Sequence, residues 1–247
     1  MSEKTNANSE KTGTIVDHLT ELRKRLIIIV VVNLAFTLIC YNFIPPLIEF
    51  FIKLNPGMNL VYISPEELFM VYVKIALLCG VVFASPVTIL EIWEFIRSGL
   101  YKGERRSILI ALFLGLFFFL IGAVFSYRIV LPIILGFFIR IRIESIQPMV
   151  SIEKYVNFCI TMLLCFGAAF ELPVITYVLS EFEILKPETL KRLHGALIVI
   201  VWVIAAIITP PDVASQILLG LPMTALLELS ILICQWVNQK KQRSKTS

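Results

Sequence analysis

The sequence predicts an all-α, polytopic membrane protein with six transmembrane helices and both termini cytoplasmic. Three observations carry that prediction. Hydrophobic residues make up 58% of the 247 and charged residues only 16%, where an ordinary soluble domain has about 25% charged. The apolar residues gather into six runs, most of them long enough to cross about 30 Å of hydrocarbon. Lysine and arginine divide unevenly between the connections, with 16 on the side of the two termini and 5 on the other, and such an excess marks the cytoplasmic side.

Composition also excludes. The net charge of +4 is small, and the basic residues cluster between spans, so no nucleic-acid partner is expected. Cys40, Cys79, Cys159, Cys165 and Cys234 all lie inside apolar runs and read as small core residues, without metal-site spacing. Only two histidines are present, His18 and His194, which rules out an HExxH zinc site, and neither a GxSxG elbow nor a GxxxxGK loop occurs. No enzyme activity, cofactor or metal is therefore expected. Energy for any transport must come from a partner or the membrane potential.

The chain reads as one six-span membrane domain over 1–247, with a disordered tail at about 1–13 and a basic tail at about 238–247. The first sixteen residues are polar and carry both Glu and Lys, unlike a transit peptide or a cleavable signal. Thr14 and Asp17 form a capping-type start. Leu19, Leu22 and Leu26 then share one helix face and Asp17, Glu21 and Arg25 another. Arg23, Lys24 and Arg25 stand at the mouth of the first span, which runs through Tyr41 and sets the orientation of the rest.

Pro45-Pro46 ends that helix. An exterior loop from Pro45 to Glu67 contains Leu47 to Leu54, too short to span and read as an interfacial cap. The second span covers about Leu68 to Leu90, with Lys74 and Pro86 inside it, and Glu91 to Arg106 is read as a charged return loop bearing Trp93 and Phe95. The third span is about Ser107 to Tyr127, followed by the longest connection, Arg128 to Tyr155, whose apolar Val130 to Phe138 either extends the third helix beyond the bilayer or lies on the surface. A fourth, about Val156 to Leu179, contains Glu171 and Pro173. The fifth apolar run, Gly195 to Ile208, is short for a bilayer, and a tight Thr209-Pro210-Pro211-Asp212 turn leads to the sixth, about Val213 to Trp236, marked by Pro222 and Glu228.

Charge inside a span costs on the order of 3 kcal/mol at mid-bilayer. Glu171 is the strongest functional candidate there, because Pro173 frees the carbonyl of Ala169 beside it and builds a polar wall at one point of the helix. The bland alternative is a protonated glutamate bonded to a neighbouring helix. Glu21 has a bland reading too, a helix pair with Arg25 four residues on, and Glu104 the same with Arg105 or Arg106.

Four ordered motifs resemble the TatC subunit of the twin-arginine protein translocase. His18-Leu19-Thr20-Glu21-Leu22-Arg23-Lys24-Arg25-Leu26 resembles its amino-terminal signature, and Trp93 to Phe95 with Leu100-Tyr101-Lys102-Gly103-Glu104-Arg105-Arg106 its first cytoplasmic loop. Phe170-Glu171-Leu172-Pro173-Val174 and Thr209-Pro210-Pro211-Asp212-Val213-Ala214-Ser215-Gln216 are similar to the later two. Ser98 stands where many members carry a proline, and Leu227 where an aromatic residue often precedes the acid.

The resemblance implies a receptor in the bacterial plasma membrane for folded cargo bearing twin-arginine signal peptides, with Glu21 and Glu104 taking the arginine pair. A guanidinium is a rigid fork of donors that suits a carboxylate, and lysine does not reproduce it. Leu22, Arg23, Phe95 and Arg105 are then supporting residues of that site. Glu171, Pro173 and Glu228 line an intramembrane groove, and Pro46, Asp212 and Gln216 belong to the exterior cap and turn. The implied partners are TatB-like and TatA-like single-span subunits, the signal peptides, membrane lipids and further copies in a homo- and hetero-oligomer. The rival reading is a proton-coupled small-solute transporter using Glu171, disfavoured because no matching pair of broken spans appears in the two halves.

Overall fold

The structure is a computed structural model. It describes the backbone of residues 3–54, 59–99, 105–140, 149–209 and 213–246, and the side chains within those ranges from residue 18 to 243 apart from 59, 98, 99 and 214. In chain order the elements are α1 (Glu3–Tyr41), α2 (Ile44–Ile52), β1 (Asn59–Val61), α3 (Pro65–Gly99), α4 (Arg105–Phe125), a π-helical turn (Ser126–Val130), α5 (Leu131–Arg140), β2 (Met149–Ser151), α6 (Ile152–Glu181), α7 (Pro187–Ile208) and α8 (Val213–Thr246). Six stretches are long and apolar enough to cross a membrane: His18–Tyr41, Pro65–Arg97, Arg105–Arg140, Ile152–Glu181, Pro187–Ile208 and Ser215–Arg243. The all-α, six-span architecture is thus the observed one.

Several helices run further than hydropathy indicates. The backbone of α1 extends back to Glu3, ahead of Thr14. Pro45 and Pro46 open α2 rather than merely closing α1, since proline fits a first helical turn whose N–H groups lack partners anyway. The stretch Glu91 to Gly99 is helix and not return loop. It contains no residue that breaks a helix before Gly99, so the polar end of α3 simply continues. Of the two readings of Val130 to Phe138, the structure has the extension of the third helix, because α4 passes through the π turn, where Leu131 N–H reaches the Ser126 carbonyl, into α5 and on to Arg140. The helix that carries the short fifth apolar run is longer than the run: α7 has 22 residues, about 33 Å at 1.5 Å each. Its polar first two turns fold as helix behind Pro187 and Glu188, which suit an N-terminus.

The chain forms two compact units, residues 1–44 with 72–112, and 45–71 with 113–247. In the first, α1 and α3 pair antiparallel along much of their length. Tyr41 and Tyr72 meet edge-on with centroids 6.3 Å apart. Thr37 packs where a Cβ on Gly80 would stand, and Asn33 Nδ2 donates to Thr88 Oγ1 at 3.1 Å. Pro86 leaves the Val82 carbonyl without its helical donor, and the Ser85 hydroxyl donates to that oxygen at 2.6 Å. Such repair is how an apolar span carries proline.

In the second unit, α6 and α8 form the main core. Leu219, Met223, Leu227, Ile231 and Cys234 recur every three or four residues along α8 and are buried, as are Val156, Cys159, Met162 and Phe166 on α6. Parallel strands β1 and β2 align Asn59 with Met149 and Val61 with Ser151. They tie α2 and the start of α3 to α6. Tyr155 Oη donates to the Phe51 carbonyl at 2.7 Å and Tyr127 Oη to the Phe50 carbonyl at 2.9 Å, while the Tyr127 ring stacks on Phe50 at 4.1 Å. Elsewhere large apolar side chains such as Leu38, Phe83, Phe117, Val199 and Leu232 are exposed. That would be an aggregation hazard in water and is the expected lipid-facing surface in a bilayer.

Candidate functional site

Glu21 lies on the first turns of the α1 span, and its carboxylate is held by Arg25 one turn on. Arg25 Nε and Nη2 donate to Glu21 Oε1 at 3.1 and 2.7 Å, and Nη1 donates to Glu91 Oε2 at 3.1 Å. The helical pair is therefore present, but it is half of a larger arrangement in which one guanidinium holds two carboxylates from two helices. The cluster is only partly exposed, with side chains 21% accessible for Arg25, 33% for Glu21 and 22% for Glu91. His18 Nδ1 lies 3.9 Å from the other Glu21 oxygen, and its ring meets Phe95 with centroids 5.9 Å apart. Two acids against one permanently charged base leave a negative surplus, and the Glu21 and Glu91 oxygens that Arg25 does not engage remain acceptors.

Phe95 thus joins the Glu21 neighbourhood through His18. Leu22 and Arg23 stand exposed on α1, and Arg105 opens α4. Glu104 and Asp212 lie outside the described residues. The residue that sequence reasoning missed is Glu91, assigned to a loop, and with it the second half of Arg25's role, since the sequence pairs Arg25 with Glu21 alone. Its signal was available: Glu91 is the first charge after a long apolar run, at the end of the helix antiparallel to α1.

The deeper acids have different surroundings. Glu171, half-buried on α6, lies against Gly115 of α4, with its Oε2 2.8 Å from the place a Cβ would take. Pro173, two residues on, is buried inside the same helix. Glu228 of α8 meets α7 instead, with His194 Nε2 2.5 Å from its Oε1. Sequence reasoning does not reach this pairing, because hydropathy assigns His194 to a loop. Gln216 Nε2 donates to the Trp202 carbonyl of α7 at 3.3 Å, and Pro46 sits exposed in the first turn of α2. Among the described residues no three His, Cys, Asp or Glu side chains gather as metal ligands, and the five cysteines are free thiols.

Residues 17–222 match the family described as TatC: Sec-independent protein translocase protein (TatC). The chain belongs to the TatC family. It is 41% identical over 221 residues to the Sec-independent protein translocase protein TatC of Helicobacter pylori (strain ATCC 700392 / 26695), covering 90% of this chain and 87% of that one. Against the protein of the same description from Aquifex aeolicus (strain VF5) it is 35% identical over 234 residues, covering 92% and 97%. The solved structure described as the crystal structure of twin arginine translocase receptor TatC superposes with a TM-score of 0.78 at 35% identity, covering 90% of this chain and 99% of that chain. Membership in TatC makes the chain a multi-pass translocase subunit rather than an enzyme, and it sets aside the small-solute transporter.

Proposed function

We propose that this chain is the receptor core of a twin-arginine translocase, lying in a bacterial cytoplasmic membrane as one six-span domain with both termini cytoplasmic. It takes twin-arginine signal peptides at a cytoplasmic surface built on Glu21 and Glu104, with Leu22, Arg23, Phe95 and Arg105 around them. The observation that carries this reading is the Glu21–Arg25–Glu91 cluster. Its lone guanidinium is outnumbered by carboxylates, so it draws a further guanidinium and is geometrically suited to one. The excess of basic residues on the terminal side supports the orientation.

TatB-like and TatA-like single-span subunits, folded cargo and further copies of this chain are its partners in this reading, with Glu171 and Glu228 as the acids of the intramembrane groove, Pro173 shaping α6 beside Glu171 from a buried position, and Pro46, Asp212 and Gln216 serving the outer cap and turn. The test is binding of a twin-arginine peptide to the solubilised chain, with a Lys-Lys peptide as control. E21Q combined with E104Q is expected to weaken Arg-Arg binding toward the Lys-Lys level. Equal binding by the double variant and the unmodified chain overturns the site. Separately, E171A is expected to impair transport while leaving surface binding largely intact.

A further inference from the structure

α4 and α6 cross antiparallel through three glycine positions. Phe119 of α4 fills the space beside Gly167, its Cε2 2.6 Å from where a Cβ would stand, and Gly122 admits α6 so closely that a Cβ there meets the Phe166 carbonyl oxygen at 2.5 Å and Phe170 Cβ at 2.9 Å. Those two positions set the register of the helices, because one involves backbone and the other a large ring. The third position is Gly115, and what lies in it is the Glu171 carboxyl group: a Cβ there stands 2.8 Å from Oε2, 3.3 Å from Oε1 and 3.4 Å from Cδ.

Other acids are held by charge or hydrogen bonding, Glu21 by Arg25 and Glu228 by His194. Glu171 is held by shape. We propose that Gly115 is the positioning residue for Glu171, its missing side chain forming the notch that keeps the carboxyl group flat against α4. The proposal rests on the reading of Glu171 as the acid of the intramembrane groove. Because Gly122 and Gly167 hold the helices in register, a methyl group at 115 is accommodated by the end of the glutamate and not by α6 as a whole. The side chain swings out of the notch through its rotatable bonds, the least costly adjustment available.

The experiment uses the full chain with its partner subunits in inverted membrane vesicles and follows modification of Glu171 by a hydrophobic carbodiimide, quantified by mass spectrometry. G115A is expected to raise the labelling rate severalfold. In the E171D background, one methylene shorter, the same G115A substitution is expected to change labelling little and to restore part of the transport lost in G115A. Equal labelling of G115A and the unmodified chain overturns the proposal, as does an undiminished effect of G115A in the E171D background. Should G115A alone fail to assemble, recovery of assembly in the double variant supports the notch and its absence overturns it. Normal transport by E171Q sinks the groove reading alone, because the labelling contrast does not depend on transport.

Discussion

Arg25 and Glu91 are joined by a 3.1 Å hydrogen bond across 66 positions of sequence, from the mouth of the first span to the far end of the second. The same guanidinium closes on Glu21 with its other two nitrogens. One residue therefore ties α1 to α3 and also orders the carboxylate proposed to read the signal peptide.

Replacing Arg25 leaves Glu21 and Glu91 as neighbouring unpaired carboxylates. R25Q is expected to cost about 1–2 kcal/mol of stability, more than an exposed pair and less than a fully buried one. R25K should fall between, since lysine keeps the charge and loses the fork. Adding E91Q to R25Q should recover part of the loss by removing like-charge repulsion. Melting of the unmodified chain, R25Q, R25K, E91Q and the R25Q/E91Q double variant in one detergent reads all three expectations, and additivity of R25Q with E91Q would show that the two residues do not interact.

How legible this was follows from where the signals lie. Span number is legible because burial in lipid requires long apolar runs, and Glu21, Phe95 and Glu171 stand out as charges or motif residues beside such runs. Helix ends are not, because hydropathy reports where the bilayer is and not where hydrogen bonding stops. Hydropathy thereby assigns Glu91 and His194 to loops, while they sit on α3 and α7. Nor does local sequence state that Glu228 answers His194 while Glu171 answers a glycine; those pairings depend on which helices pack together.

Tyr155 is buried, and its hydroxyl satisfies the Phe51 carbonyl at 2.7 Å. Y155F removes one of two donors to that carbonyl, which keeps the Leu54 N–H at 3.2 Å, so the expected cost is that of one buried hydrogen bond, about 0.5–1.5 kcal/mol. Tyr127 makes the corresponding bond to Phe50 in an exposed setting, where water or a head group replaces the lost donor, so Y127F should cost less. A larger drop in melting temperature for Y127F than for Y155F contradicts this ordering.

Gly122 and Gly136 provide a matched pair. A Cβ at 122 meets a backbone oxygen that cannot move aside, whereas nothing lies within 4 Å of one at 136. G122A is therefore expected to destabilise by about 1–3 kcal/mol through overpacking. G136A, inside α5, should be neutral or stabilise by up to about 1 kcal/mol, because alanine is the better helix former. Similar melting temperatures for the two variants would mean that α4 and α6 do not pack this closely.

The turn after α6 places a non-glycine residue in the left-handed region, Glu183 at φ 59°. Ile184 N–H reaches the Leu179 carbonyl and Glu183 N–H the Ser180 carbonyl, the bonding of a Schellman motif whose left-handed position is usually glycine. A side chain there costs about 1–2 kcal/mol. Among what Glu183 returns is a contact with Lys241 3.9 Å away, its own side chain half-exposed, worth a few tenths of a kcal/mol. Lys241 also donates to the Glu181 carbonyl at the end of α6, a bond that survives loss of the Glu183 carboxylate. E183G is thus expected to raise stability by about 1 kcal/mol, while E183A, which keeps the strain and loses the contact, should lower it slightly. Thermal melting of the two variants beside the unmodified chain decides the matter, and a fall for E183G at least as large as for E183A would mean that the carboxylate contributes more than the strained backbone costs.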